Sequence, residues 1–139
     1  MLNSNYLLNL NEKQQEAVLH LDGPLLIVAG AGSGKTKVLT TRIAHIIRSH
    51  KAFSSQILAV TFTNKAAKEM QIRVSKLLRK EATGLPWLGT FHSISAKILR
   101  KHADAVSLKS NFTIIDQDDQ VRLIKNICKA ENVDIKKIS

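Results

Sequence analysis

The chain has a single cysteine, Cys128. It sits at an apolar helical position, so neither a disulfide framework nor a thiolate zinc site is supported. No apolar run approaches the length of a membrane-spanning helix, and the start Met-Leu-Asn-Ser-Asn-Tyr6 lacks the basic-then-apolar pattern of a secretory leader. The expectation is a cytoplasmic protein with no membrane partner. Internal repeats and low-complexity linkers are also missing. Acidic residues are scarce, 11 against 21 Lys and Arg, for a formal net charge of +10. That excess suggests a polyanionic partner, nucleic acid in preference to a membrane, although a basic solvated surface with no partner produces the same count. At 139 residues and 44% hydrophobic content the chain is about one globular domain in size.

Glycine is rare too, six in all, yet three fall within five residues of one another in Ala29-Gly-Ala-Gly-Ser-Gly-Lys-Thr36. Gly30, Gly32 and Gly34 leave backbone amides free to curl around an anion, because no Cβ blocks the tight dihedrals or the approach of a phosphate. The apolar run Pro24-Leu-Leu-Ile-Val28 precedes this loop and a helix follows it, whose N-terminal amides and dipole favour negative charge. Lys35 is placed to reach β- and γ-phosphates, and the Thr36 hydroxyl to hold Mg²⁺. The general phosphate-loop pattern opens on Gly; here that position is Ala29. The competing reading is a glycine-rich strand-to-helix turn that binds nothing.

Periodicity gives alternating helix and strand. Asn11 caps a helix through about Leu21, and Asp22-Gly-Pro24 turns. A buried strand over 24–29 leads through the loop to a helix over 34–49, with Leu39, Ile43, Ile46 and Ile47 on one face. A second strand, 57–62, precedes a helix over 64–80. Its packed stripe is Ala66, Ala67, Met70, Val74, Leu77 and Leu78, with Glu69 and Arg73 paired beside it. Gly84-Leu-Pro86 breaks that helix. A third strand near 87–90 enters a helix from about Ser93, and a fourth element, 111–115, leads to a helix over 117–131. The pattern predicts an α/β fold with a parallel sheet flanked by helices and ligands at the carboxyl ends of its strands.

Two more motifs lie at such ends. Thr61-Phe-Thr-Asn-Lys-Ala-Ala-Lys-Glu-Met70 offers hydroxyls and helix N-terminal amides to phosphate and the Phe62 ring to a base. Gly89-Thr-Phe-His-Ser93 repeats the device. Read singly, each is more often a helix cap with a core Phe; together, in a basic chain, they form a candidate track for single-stranded nucleic acid. His92 has no second ligand at metal-binding spacing, so a polar helix start suits it better than a metal.

These motifs, in this order, resemble the UvrD/Rep/PcrA family of superfamily 1 DNA helicases over nearly the whole chain. Leu10-Asn-Glu-Lys-Gln-Gln-Glu-Ala-Val18 resembles the family's Q motif. Residues 29–36 resemble its Walker A loop, where alanine is usual in first position, and residues 61–70 and 89–93 resemble motifs Ia and Ib. The resemblance implies a P-loop NTPase (RecA-like) domain with ATP and Mg²⁺ as cofactors. It places nucleotide on Gln14, Ala29, Gly30, Ala31, Gly32, Ser33, Gly34, Lys35, Thr36 and Lys37, with Gln14 reading the adenine edge, Lys35 and Thr36 acting in catalysis, and Thr36 on the metal. It places DNA on Phe62, Thr63, Asn64, Thr90 and His92. Gln14 also lies three residues after the cap Asn11, where a capping box competes for it. Lys37 stands where relatives often carry an arginine against the adenine, and a lysine has no planar fork to stack.

An ATPase of this type needs an apolar strand ending Asp-Glu for Mg²⁺ and the attacking water, and arginines for the developing charge. The nearest candidate, Phe112-Thr-Ile-Ile-Asp116-Gln-Asp-Asp119, reads instead as an N-cap with an acidic first turn, for a helix with Val121, Ile124 and Cys128 on one side. The expectation is therefore an incomplete domain, with residues 1–110 the N-terminal part of a first RecA-like domain and 111–139 the start of an inserted helical subdomain. Its partners would be single-stranded DNA, duplex junctions and the remainder of the helicase polypeptide. The alternative is a module that binds nucleotide or nucleic acid without turnover. A nucleoside kinase would leave the motifs at 61–70 and 89–93 unexplained.

Overall fold

The structure is a computed structural model that describes residues 6–78 and 84–133. Its elements run α1 (Glu12–Leu19), α2 (Lys35–Arg48), β1 (Ala59–Thr61), α3 (Asn64–Leu78), β2 (Leu88–Thr90), α4 (Phe91–Lys101) and α5 (Gln117–Ala130). β1 and β2 pair in parallel, with Ala59 opposite Leu88, Val60 opposite Gly89 and Thr61 opposite Thr90. The fold is α/β with a parallel sheet, as the alternation predicts. The chain divides into two compact units, 1–97 and 98–139.

In the first unit α2 and α3 pack on each other and on the sheet. Ile43 and Ala44 of α2 meet Met70, Val74 and Leu78 of α3, with Leu85 closing the cluster. Of the stripe expected on α3, Ala67, Met70, Val74 and Leu78 are buried, Leu77 is half-buried, and Ala66 is exposed. The buried face of α2 is Val38, Thr40, Thr41, Ile43 and Ala44. Leu39, expected in that face, is turned out and 41% exposed. The α1 helix docks separately, with Val18 fully buried against Leu10 and Val38. Glu69 and Arg73 form no ion pair: both are exposed, where such a pair gains little over hydration.

The strand expected over 24–29 does not form. Residues 24–30 carry no ladder, and Leu26 and Val28 are each 86% exposed. A run apolar on both faces needs a neighbour on each side and cover above and below. Among the described residues the only strands are β1 and β2, which pair with each other. The helix expected from Ser93 begins two residues earlier, at Phe91, directly on the end of β2. The last turn of the helix expected to 80 lies outside the described residues.

In the second unit a 3₁₀ turn at Ala103–Val106 follows α4. The segment 111–115 has no regular structure. Asp116 caps α5, its carboxylate accepting from the Asp119 amide at 2.8 Å, as the acidic-turn reading expects. Val121 and Ile124 are about half-exposed on that helix. Among the described residues no helix is long and apolar enough to cross a membrane.

Candidate functional site

The phosphate loop is built around two glycines that no other residue would replace without strain. Gly32 and Gly34 have φ of +75° and +84°, the left-handed region that L side chains avoid. At Gly34 there is a steric reason as well, since a Cβ would lie 3.1 Å from the Nε2 of Gln14. Gly34 is the N-cap of α2 and has no side-chain capping bond. The first intrahelical acceptor contact runs from the Val38 amide to the Gly34 carbonyl, which leaves the amides of Lys35, Thr36 and Lys37 with no partner among the described residues.

The other helix starts are different. α1 and α5 are capped by Asn11 and Asp116, so the uncapped amides belong to the phosphate loop and suit an anion. The Lys35 ammonium sits among them, donating to the carbonyls of Ala29 and Gly30 at 2.7 Å each. In this arrangement the lysine closes the loop on itself. Ser33 adds a bond from its hydroxyl to the Gly30 carbonyl at 2.6 Å. The Thr36 side chain is exposed. Uncapped amides, an exposed ammonium and a hydroxyl in one turn suit the oxygens of a triphosphate, and the Thr36 hydroxyl is a group that could take one place on its Mg²⁺.

Gln14 joins this loop to α1. Its Oε1 accepts from the Asn11 amide at 3.1 Å, the Asn11 side chain accepts from the Gln14 amide at 2.9 Å, and its Nε2 donates to the Ser33 carbonyl at 3.0 Å. The capping box is real, and it aims the amide group at the loop. A cleft of about 190 Å³ brings Gln14, Ile27, Ala29, Ser33 and Lys35 together. Lys37 faces elsewhere: its ammonium donates to the Asn9 carbonyl.

The parallel register aligns the other two motifs. Thr61 and Thr90 end their strands side by side, so the residues after them emerge at one level. Phe62 and Phe91 meet with ring centroids 5.5 Å apart, tilted by 48°, in the range favoured by aromatic pairs. Phe62 is 91% exposed, which excludes a core role. The threonines do the capping instead. Thr63 Oγ1 accepts from the Ala66 amide at 3.1 Å and Thr90 Oγ1 from the Ser93 amide at 3.2 Å, fixing the starts of α3 and α4. Asn64 and His92 are exposed on those first turns, while Thr90 is buried. Phe91 was not among the residues singled out from sequence; its signal was its place in Gly89-Thr-Phe-His-Ser93, matching Phe62 in the partner motif.

Among the described residues no group of three His, Cys, Asp or Glu side chains could hold a metal ion.

Residues 10–139 match the model of the UvrD/REP helicase N-terminal domain. The chain is 53% identical over 129 residues to the ATP-dependent DNA helicase PcrA of Staphylococcus epidermidis, covering 93% of this chain and 18% of that protein. It is 54% identical over 139 residues to a probable DNA helicase II homolog of Rickettsia conorii, covering 99% of this chain and 21% of the relative. With PcrA of Staphylococcus aureus the identity is 52% over 134 residues, 96% of this chain and 18% of the relative. The chain thus spans about a fifth of the length of the curated relatives it matches.

Proposed function

The chain belongs to the UvrD/REP helicase N-terminal domain family, and from that premise we propose that it supplies the nucleotide pocket and part of the single-stranded DNA track of an ATP-driven DNA helicase. The fold assigned to it is the P-loop NTPase, RecA-like class, in which the run 24–28 becomes a central strand when flanked by further strands. The cellular setting proposed is the cytoplasm, with duplex junctions and the remainder of a helicase polypeptide as partners.

The observation that carries the reading is the contrast between helix starts: α1 and α5 are capped by side chains, whereas α2 presents three unpartnered amides beside Lys35. Bound ATP and Mg²⁺ would supply the phosphoryl-transfer chemistry. Lys35 would leave the carbonyls of Ala29 and Gly30 and turn its ammonium to the phosphates. Gly30, Ala31, Gly32 and Ser33 would wrap the anion, Thr36 would hold the metal, and Gln14 would present to the adenine the hydrogen-bonding capacity that Asn11 and Ser33 leave over. Each end of its amide keeps one such place, a lone pair on Oε1 and one hydrogen on Nε2. Lys37, drawn toward Asn9, contributes charge near the pocket instead of a stacking plane. On the track, the exposed Phe62 ring would stack a base, Asn64 and His92 would meet the backbone, and Thr63 and Thr90 would act by holding the helix starts in place.

Calorimetry with ADP and Mg²⁺ tests the pocket. Binding should be measurable for the chain and lost in Lys35→Ala, with the thermal melt unchanged because Lys35 is exposed. Binding that survives this change would place the nucleotide elsewhere. The second reading, a module that binds without turnover, rests on the role of Asp116: its carboxylate accepts from the Asp119 amide as the cap of α5, the part of a helix start and not of a strand end that holds a metal. DNA-stimulated ATP hydrolysis by the purified chain would exclude it.

A further inference from the structure

On the far side of α2 from the Gln14 cleft lies a second cavity, of about 270 Å³, whose surface is mostly carbon. Tyr6 and Asn9 form one wall, Thr40 and Thr41 of α2 the floor, and Arg73, Lys76 and Leu77 of α3 the opposite wall, with Lys37 at the rim. Every charged side chain on it is a cation.

Tyr6, Lys37 and Thr40 are each held by a bond of their own. Thr40 and Thr41 are buried, and the Thr40 hydroxyl is taken up by the carbonyls of Thr36 and Lys37, at 2.8 and 3.1 Å. The Tyr6 hydroxyl is bonded to His45 Nδ1 at 2.7 Å, and the Arg48 guanidinium lies over its ring, 5.0 Å from the centroid. Lys37 is held by the Asn9 carbonyl. Arg73 and Lys76 are exposed and, among the described residues, have no ion-pair or hydrogen-bond partner.

That distribution selects the occupant. A small-molecule site converges several polar groups on its ligand within roughly 300–1,000 Å³. Here the Thr40 hydroxyl is already engaged and the volume, about 270 Å³, lies below that range. An apolar hollow flanked by the Arg73 and Lys76 cations has the anatomy of a protein hot spot, one anchoring side chain surrounded by complementary charge. A second copy of this chain is disfavoured by its net charge of +10. We propose that this cleft docks an acidic segment of a partner protein, which seats one large apolar side chain on Thr41 and Leu77 while its carboxylates pair with Arg73 and Lys76. None of those four residues belongs to the phosphate loop or the DNA track; Lys37, which also lines the cleft, is the one residue shared with the nucleotide reading.

The probe is the peptide acetyl-Asp-Glu-Leu-Phe-Glu-Asp-amide, titrated into the chain by calorimetry at physiological ionic strength, where diffuse attraction is largely screened. Binding should fall by roughly tenfold or more in Arg73→Glu/Lys76→Glu, and by less than about twofold in Lys125→Glu/Lys129→Glu, which makes the same change in net charge on α5. A peptide with glycines in place of Leu-Phe should lose binding by a similar factor on the unaltered chain, a readout that needs no variant to fold. Equal losses in the two charge-reversed variants, or full binding of the glycine peptide, would reduce the effect to net charge and overturn the proposal. Binding of 3-phenylpropionate as tight as that of the peptide would assign the cleft to a small carboxylate. A dimer in sedimentation that Arg73→Glu/Lys76→Glu dissolves would assign it to a second copy. Either result overturns the proposal.

Discussion

Gln14 donates from Nε2 to the Ser33 carbonyl at 3.0 Å, which ties the first turn of α1 to the middle of the phosphate loop. The same side chain closes the capping box with Asn11. Position three of a helix and a loop nineteen residues away are thus held by one amide group, and its two ends separate by substitution. Gln14→Glu keeps an acceptor for the Asn11 amide and loses the donor to Ser33; Gln14→Ala loses both. Thermal melts should show a drop for alanine of about 1–3 kcal/mol, the usual net value of two hydrogen bonds, and a smaller one for glutamate. Both variants should bind ADP more weakly and discriminate less against GDP. Unchanged nucleotide preference in Gln14→Ala, with a lowered melt, would leave Gln14 only its capping role.

Phe62 separates track from core by the same logic. A core phenylalanine truncated to alanine costs about 3–5 kcal/mol of stability, but Phe62 is 91% exposed and has only its edge against Phe91 to lose. Phe62→Ala should melt normally and weaken single-stranded DNA binding by about 1–3 kcal/mol at constant net charge. Fluorescence anisotropy with a labelled oligonucleotide, on the preparation used for the melt, measures both. Unaltered DNA affinity would remove Phe62 from the track.

The His45 imidazole carries a pKa lowered from 6.5 by burial. Unfolded, it takes up its proton near pH 6.5; folded, only at lower pH. Between those values the unfolded chain holds more protons, so stability is full above pH 6.5 and is lost as pH falls toward the folded pKa. Protonation would also place a second cation at the Tyr6 ring beside Arg48. The melting temperature should fall below about pH 6.5, and His45→Gln should flatten that part of the profile. An identical slope in the variant would assign the titration to another group.

Gly89 lies in β2 where the chain has no room for a side chain. A Cβ there would stand 2.7 Å from the Ser93 hydroxyl and 3.2 Å from Ile94 Cδ1, and Ser93 is held by its bond to the Thr90 carbonyl at 3.0 Å. Gly89→Ala should cost about 1–3 kcal/mol, as overpacking does, read by denaturant titration. Because Ser93 is bonded to Thr90, DNA affinity should fall with it; normal stability would mean that α4 shifts freely on the strand.

The glycine turn before α2, the helix starts at Asn11 and Asp116, and the stripe on α3 were legible in the sequence because each is local. A left-handed glycine, a cap three residues from its amide, and a 3.6-residue period need nothing beyond their own segment. Leu39 was misplaced because several faces of α2 are apolar enough, and only the position of α3 selects Ile43 and Ala44 for burial, and that of α1 selects Val38. The run 24–28 reads as a strand from its composition, yet a strand is defined by its neighbours, and among the described residues none lies beside it. What tertiary structure alone decided is the meeting of distant segments. The parallel register of β1 and β2 sets Phe62 against Phe91, the docking of α1 aims Gln14 at Ser33, and the packing of α2 on α3 gathers Lys37, Arg73 and Lys76 around one cavity. Spacing along a chain fixes which residues share a helix or strand; which helices and strands share a wall depends on packing that no single segment encodes.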